Sequence, residues 1–365
     1  MSEQKTVYEI AILGRITWNL HSLNNEGNIG NVIEPRTLKL ADGSTADGIS
    51  GEMLKHVHAA KVWELETDKN KFCSACQVIE PMRADANKNV TRLNNEKEDK
   101  EIKASSQAMQ DCVLCDLHGF LVQKPNIHRQ STVEFGWAVG LPGQWHRDIH
   151  QHARHAVGFK GQGKDTGEPQ PAQLKQMDLI VDEESDDEVV ETTQESGVAA
   201  QIEEKPKTSQ MLFSRPTRSG VYAIVTVFQP WRIGLNVVDY SYPIALDICQ
   251  QRYKLALRAY ESMFLRLDGA MTSTRLPHLE SFAGAIVISR TNDTVPVLSP
   301  LADDYLSKLS RLAEVKNENG KTTFEVMPFA DEVEFITKLR GLTNDLPYRL
   351  QKAGQKGNDD DKGVA

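Results

Sequence analysis

The chain has 365 residues, enough for one large domain or two ordinary ones. Hydrophobic residues at 39% and charged residues at 25% are ordinary for a globular protein, and no run of 18 or more apolar residues offers a membrane span. The formal net charge of −9 argues against a nucleic-acid partner only until its distribution is seen: eleven acidic and no basic residues fall within 176–204, and the remainder carries +2.

Met1-Ser-Glu-Gln-Lys-Thr6 is polar and lacks the apolar core of a signal peptide, so a cytoplasmic location is expected. Residues 6–23 are β-branched and aromatic with partial alternation and read as a strand. Turn-rich stretches follow at 24–31 and 41–48, with a short hairpin arm at Thr37–Leu40 between them. Ser50 then reads as the N-cap of a helix over Gly51–Leu65. The free backbone N–H groups and the dipole of a helix start suit an anion, and the small Ser50-Gly51 pair would let a phosphate approach Lys55 and His58. A plain cap explains Ser50 as well, and both readings stay open.

Residues 66 to about 130 read as a polar insertion. It holds Cys73-Ser-Ala-Cys76 and Cys112-Val-Leu-Cys115, two pairs that together supply the four-sulfur shell of structural zinc. In a reducing compartment such pairs are metal ligands before they are disulfides. The 35 residues between the inner cysteines exceed compact zinc-ribbon spacing, and two turns that merely contain cysteines are the alternative. Four thiolates leave no open position for water, so the centre would fix structure and do no chemistry. Cys249, in a helical pattern, reads as a buried inert thiol.

Residues 131–140 read as a strand. From Gln144 to Gln176 the chain is rich in His, Arg, Gly and Gln, and His146-Arg-Asp-Ile-His150 with the residues to His155 reads as a polar arm for nucleic acid. It lacks the Glu of a His-Glu-x-x-His site. The acidic stretch reads as disordered. Strands are expected at Gly220–Phe228 and Gly284–Ser289, helices at Ile244–Leu267, Asp303–Val315 and Asp331–Leu342, and a loose tail from Gly354. Arg215 and Arg218 precede a strand, and Arg275 closes the loop 269–278; each suits a phosphate or an ordinary surface. Without its insertions the order strand, helix, strand, helix, strand suits an α+β sandwich with helices on one face of an antiparallel sheet, of which the ferredoxin-like or RNA-recognition fold is one case.

Gly14-Arg15-Ile-Thr-Trp-Asn19, with Asn24-Asn-Glu-Gly27-Asn28 after it, then Ile49-Ser50-Gly51-Glu-Met-Leu-Lys55-His56, resembles the opening of the DevR-type CRISPR-associated proteins, the Cas-seven backbone family of type I Cascade interference complexes. Asp116-Leu-His-Gly-Phe120, Ser131–Ala138 and Arg218-Ser-Gly-Val-Tyr-Ala223 resemble later stations in the same order. The resemblance implies a modified RNA-recognition palm (1–65 and 213–353), an inserted fingers domain (66–145), a thumb (146–212, with 176–204 a solvent-facing disordered tip) and a tail (354–365). It implies a non-catalytic subunit that polymerises head to tail on CRISPR RNA, beside other Cascade subunits, and leaves guide bases free to pair with a target DNA strand. Ser50, Gly51, Lys55 and His56 would contact the guide, as would Arg15 and Asn19 on the first strand; Arg215, Arg218 and Arg275 are further candidates. Two alternatives stand beside it: a type III-like subunit that cuts target RNA with Asp42 or Asp47, and a DNA-binding regulator.

Overall fold

The computed structural model describes residues 5–29, 32–155, 210–269, 271–317 and 323–350. The acidic stretch, most of the expected thumb and the tail lie outside the described residues. Residues 1–150 with 214–365 form one compact unit and 151–213 a second, of which the described parts, 151–155 and 210–213, are strand.

In chain order the strands are β1 (Thr6–Val7), β2 (Glu9–His21), β3 (Asn25–Ile29), β4 (Val32–Pro35), β5 (Thr37–Lys39) and β6 (Thr45–Ile49), followed by helix α1 (Gly51–Leu65). The insertion holds α2 (Ser74–Gln77), α3 (Lys88–Thr91), α4 (Lys100–Asp111), α5 (Val113–His118) and the hairpin β7 (Phe120–Val122) with β8 (Ile127–Arg129). Then come β9 (Val133–Phe135), β10 (Ala138–His155), β11 (Gln210–Phe228), α6 (Leu246–Leu265), β12 (His278–Ser289), α7 (Tyr305–Lys316), β13 (Phe324–Phe329), α8 (Glu332–Gly341) and β14 (Leu346–Pro347).

One large sheet runs β13-β12-β2-β11-β10-β6-β5, and β9 pairs antiparallel with the end of β11. The two long neighbours of β2, β11 and β12, are both antiparallel to it. The parallel contacts are short: β4 on β11, and β1 on β14.

The sequence of β2 explains its central place. Ile10, Ile12, Ile16 and Trp18 point to one face and pack with α1 and α6 residues such as Leu54, Val57, Ala256 and Tyr260. Ala11 and Leu13 point to the other and pack with Tyr305 and Leu309 of α7. An unbroken apolar run is what a strand covered on both sides needs. From Arg15 onward the α7 face turns polar, with Arg15, Thr17 and Asn19 partly exposed. The expectation of helices on one face alone is therefore corrected: α1 and α6 share one face, and α7 covers part of the other.

The start of α1 is fixed twice over. The Ser50 hydroxyl accepts from the Met53 N–H at 3.2 Å, and the Ser50 N–H donates to Asn24 Oδ1. A Cβ at Gly51 would collide with the Phe135 carbonyl oxygen, so only glycine lets α1 lie this close to β9. Within the insertion, helices expected only as polar chain bury small faces: α4 turns Ala104, Ser105, Ala108 and Met109 inward. The His-rich stretch from Gln144 is strand as far as His155.

Candidate metal centre and the cavity beside it

Each Cys-x-x-Cys pair opens a helix. Cys73 is the N-cap of α2 and Cys112 the N-cap of α5, where Cys112 Sγ accepts from the Cys115 N–H at 3.4 Å. Folding brings the pairs together: all four sulfurs lie within 4.8 Å of one another, and all four residues are buried. None is in a disulfide. Cys76 and Cys115 sulfurs are 3.9 Å apart, too far for an S–S bond and close to the roughly 3.8 Å edge of a tetrahedron with zinc–sulfur bonds of about 2.3 Å. Hydrogen bonding from Cys112, then from Cys115 and Cys76, pulls the Cys73 thiol below the ordinary range, while contacts with Cys112, Cys73 and Cys76 push Cys115 up. Donor set, separation and burial fit a closed four-sulfur metal site.

One member of the cluster, Cys76, lines a cavity of about 710 Å³. Gly51, Lys55 and His56 of α1 line it, with Glu134 and Phe135 of β9 and with Cys76, Arg83 and His118. Arg83 donates from Nη1 to the carbonyls of His118 and Gly119, at 2.9 and 2.8 Å, which anchors the turn after α2 to the end of α5. Lys55 is half-buried and makes no hydrogen bond or ion pair with any described residue. Burial, and then the positive Arg83, hold its ammonium below the usual lysine range, while Glu134 pulls the other way.

His118 is 2% exposed. Its Nε2 lies 3.0 Å from His58 Nδ1, and His58 Nε2 lies 3.1 Å from the Ala256 carbonyl. A carbonyl only accepts, so His58 carries its proton on Nε2 and accepts at Nδ1 from His118 Nε2–H. His118 Nδ1 is then a bare acceptor, with no partner among the described residues. Both rings are neutral: burial pushes His58 down to about 3, and burial and the facing His58 push His118 well below the histidine range. Sequence reasoning missed Arg83 and His118; a His-Gly pair three residues after the last cysteine of the two pairs was the available signal.

The other expected contacts fall elsewhere. Arg15 and Asn19 lie on the α7 face of the sheet, away from α1. Arg15 donates to the Pro300 carbonyl and to Asp303, both at 2.7 Å, and Asn19 to Glu280. Arg275 donates to Thr217 Oγ1 at 3.2 Å, and burial with the positive charge of Arg215 lowers its pKa, which places the two arginines near each other. Arg218 requires a correction as a guide contact. It is 1% exposed, and its Nη1 lies 2.8 and 3.0 Å from the carboxylate oxygens of Asp47, which also accepts from Tyr222 Oη at 2.6 Å. The same contacts tie up Asp47. Asp42 is exposed and holds a turn by accepting from the Ser44 N–H and hydroxyl.

A family model described as CRISPR-associated negative auto-regulator DevR/Csa2 matches residues 12–177 and 179–309. The chain belongs to the DevR/Csa2 family. A family relative from Methanocaldococcus jannaschii, described as CRISPR-associated protein Cas7/Cst2/DevR, is 23% identical over 339 residues, which is 89% of this chain and 94% of the relative. The chain is also similar to a chain of a CRISPR RNA-guided surveillance complex in a pre-nicking state (TM-score 0.43, 10% identity, 87% of this chain and 90% of the other). A chain of a second CRISPR RNA-guided surveillance complex gives a TM-score of 0.42 at 11% identity, over 93% of this chain and 98% of the other. Among the described residues of this family member no helix is long and apolar enough to cross a membrane.

Proposed function

We propose that this chain is a non-catalytic backbone subunit that holds CRISPR RNA, repeats head to tail along it, and leaves guide bases open to pair with a target DNA strand. Membership of the DevR/Csa2 family, matched over residues 12–177 and 179–309, carries the reading. The strand order β12-β2-β11-β9, with α1 and α6 on one face, supports an RNA-recognition palm, since that fold places its first strand between its third and fourth. A guide holder needs backbone contacts without base readout. The first turn of α1, Lys55 and His56 have that chemistry, and Ser50 and Gly51 set their positions. Arg215 and Arg275 are a second cationic point. Arg15 and Asn19 would serve through the open part of the sheet's other face. The Arg15 partner Asp303 is almost fully exposed, and a pair so exposed is worth about 1 kcal/mol or less, which a phosphate can displace.

The four cysteines would hold one zinc ion as a clamp between α2 and α5, with no open ligand position. Residues 66–145 would be the fingers and 146–212 the thumb. An RNA-cutting role is disfavoured by the buried, paired state of Asp47 and the turn-holding role of Asp42. The auto-regulator wording of the family description keeps a DNA-binding reading as second choice. Co-expression with a CRISPR array separates the two: a large particle with one discrete RNA supports the backbone reading, while a monomer that shifts promoter DNA without RNA overturns it.

A further inference from the structure

Where the insertion meets α6 lies a buried charge that does not balance. Asp116 of α5 pairs with Arg129 at 2.6 Å and with Arg252 of α6 at 2.7 Å, and both its carboxylate oxygens also accept from the Gly234 N–H. One carboxylate therefore faces two guanidinium groups, and the trio keeps one positive charge. Arg129 spends its other N–H groups on the carbonyls of Asp116, Leu235 and Arg232. Arg252 is less well served. It is 5% exposed, and the bond from Nη1 to Asp116 is its one hydrogen bond among the described residues. Nε is sealed off without a partner, whereas Nη2, also without one, is not sealed off.

Arg252 lines a cavity of about 320 Å³, at the low end of small-molecule sites, which run to about 300–1,000 Å³. Val113 of α5 with Ile248 and Leu255 of α6 give it an apolar lining, and Gln110 and Gln251 stand beside them. Glu66 and Lys71 are the other charged residues of the lining, and they pair with each other at 3.0 Å. Water at Nη2 would leave the charge of the trio unbalanced, and a bare inorganic anion would leave the apolar lining uncovered.

We propose that this cavity binds a small monocarboxylic acid with an apolar body, its carboxylate on Arg252 Nη2 and its hydrocarbon against Val113, Ile248 and Leu255. The site needs no RNA and stands apart from the guide-holding reading. Gln110 and Val113 belong to the insertion, Ile248, Gln251 and Leu255 to α6, so a bound acid bridges the two.

The test uses the full chain, with hexanoate, hexanamide and acetate titrated separately by ligand-observed NMR or calorimetry near neutral pH, where the acids are ionised. Hexanoate should bind about tenfold tighter than hexanamide, for the charge-assisted hydrogen bond, and about tenfold tighter than acetate, for the buried hydrocarbon. Arg252→Met leaves Asp116 with Arg129 alone, a balanced pair. It should bring hexanoate down to the hexanamide level and leave hexanamide unchanged. Ile248→Ser, a change at an exposed position, should weaken hexanoate and hexanamide alike. The proposal is overturned if hexanoate does not bind, if it binds no better than hexanamide or acetate, or if the Arg252→Met chain still prefers it to hexanamide. Should Arg252→Met not fold, Gln251→Glu, also at an exposed position, takes its place. Its added carboxylate should abolish the preference for hexanoate over hexanamide, and a preference that survives is the overturning result.

Discussion

Arg218 on β11 and Asp47 on β6 form a buried ion pair, with Nη1 2.8 and 3.0 Å from the two carboxylate oxygens and both side chains shut off from water. The pair joins residues 171 apart in the chain, and Tyr222 and His21 extend it into a buried polar network. Removing one partner strands the other charge in a poorly solvated place, which costs about 3–5 kcal/mol. Asp47→Asn should therefore lower the chemical-denaturation midpoint sharply. The double variant Asp47→Leu with Arg218→Met should recover most of the loss, because no charge remains to be solvated. A double variant as unstable as the single one would show that shape, not charge, is what the pair supplies.

Zinc removal should act on the insertion first. Native protein should contain about one zinc per chain, and Cys112→Ser or a strong chelator should release it. The α2 and α5 segments would then lose their common anchor, and limited proteolysis should begin within 66–130 while the sheet stays protected. Metal content near zero in a chain with four freely reactive thiols would refute the clamp.

Much of this architecture was legible in the sequence, for identifiable reasons. β2, α1, α6 and β12 carry long apolar patterns, and the cysteine spacing announced its own cluster. α4 was hidden because its inward face is Ala104, Ser105, Ala108 and Met109, mostly small residues that follow a charged run. β13 was hidden because Pro328 interrupts it, which an edge strand tolerates. Arg218 looked like surface because its carboxylate lies on another strand far away in sequence. The cavity was only half visible. Lys55 and His56 follow from the α1 pattern, but Arg83 and His118 join them through a cysteine cluster and a histidine relay that local sequence does not reveal.

The buried histidines predict a specific acid sensitivity. The folded pKa of His58 is about 3, against about 6.5 in an unfolded chain, so the unfolded state takes up the proton first. Stability is then full above about pH 6.5 and falls as the pH drops toward 3. His118 and His21, also depressed by burial, act in the same direction. Each contributes a slope of up to about 1.4 kcal/mol per pH unit. Carboxylates mostly titrate below about pH 5, so a melting temperature that falls between about pH 6.5 and 5, in the Cys112→Ser chain as in the wild type, isolates the histidines from both carboxylates and metal loss. A flat profile across that window would contradict three neutral buried rings.

Lys55 offers the sharpest test of nucleic-acid contact. Its ammonium is partly buried without an ion pair, so the wild-type chain bears a desolvation cost that Glu134 offsets only in part. Lys55→Ala removes that cost, keeps a strong helix former at the position, and should leave stability unchanged or slightly raised. Against single-stranded RNA the same substitution should weaken binding for all sequences alike. It should also reduce the slope of log affinity against log salt by about 0.7, the value for one released counterion on a single strand. Binding measured at several salt concentrations reads both effects. Lower affinity with an unchanged slope would mean that Lys55 shapes the cavity without touching phosphate, and unchanged affinity would remove it from the RNA track.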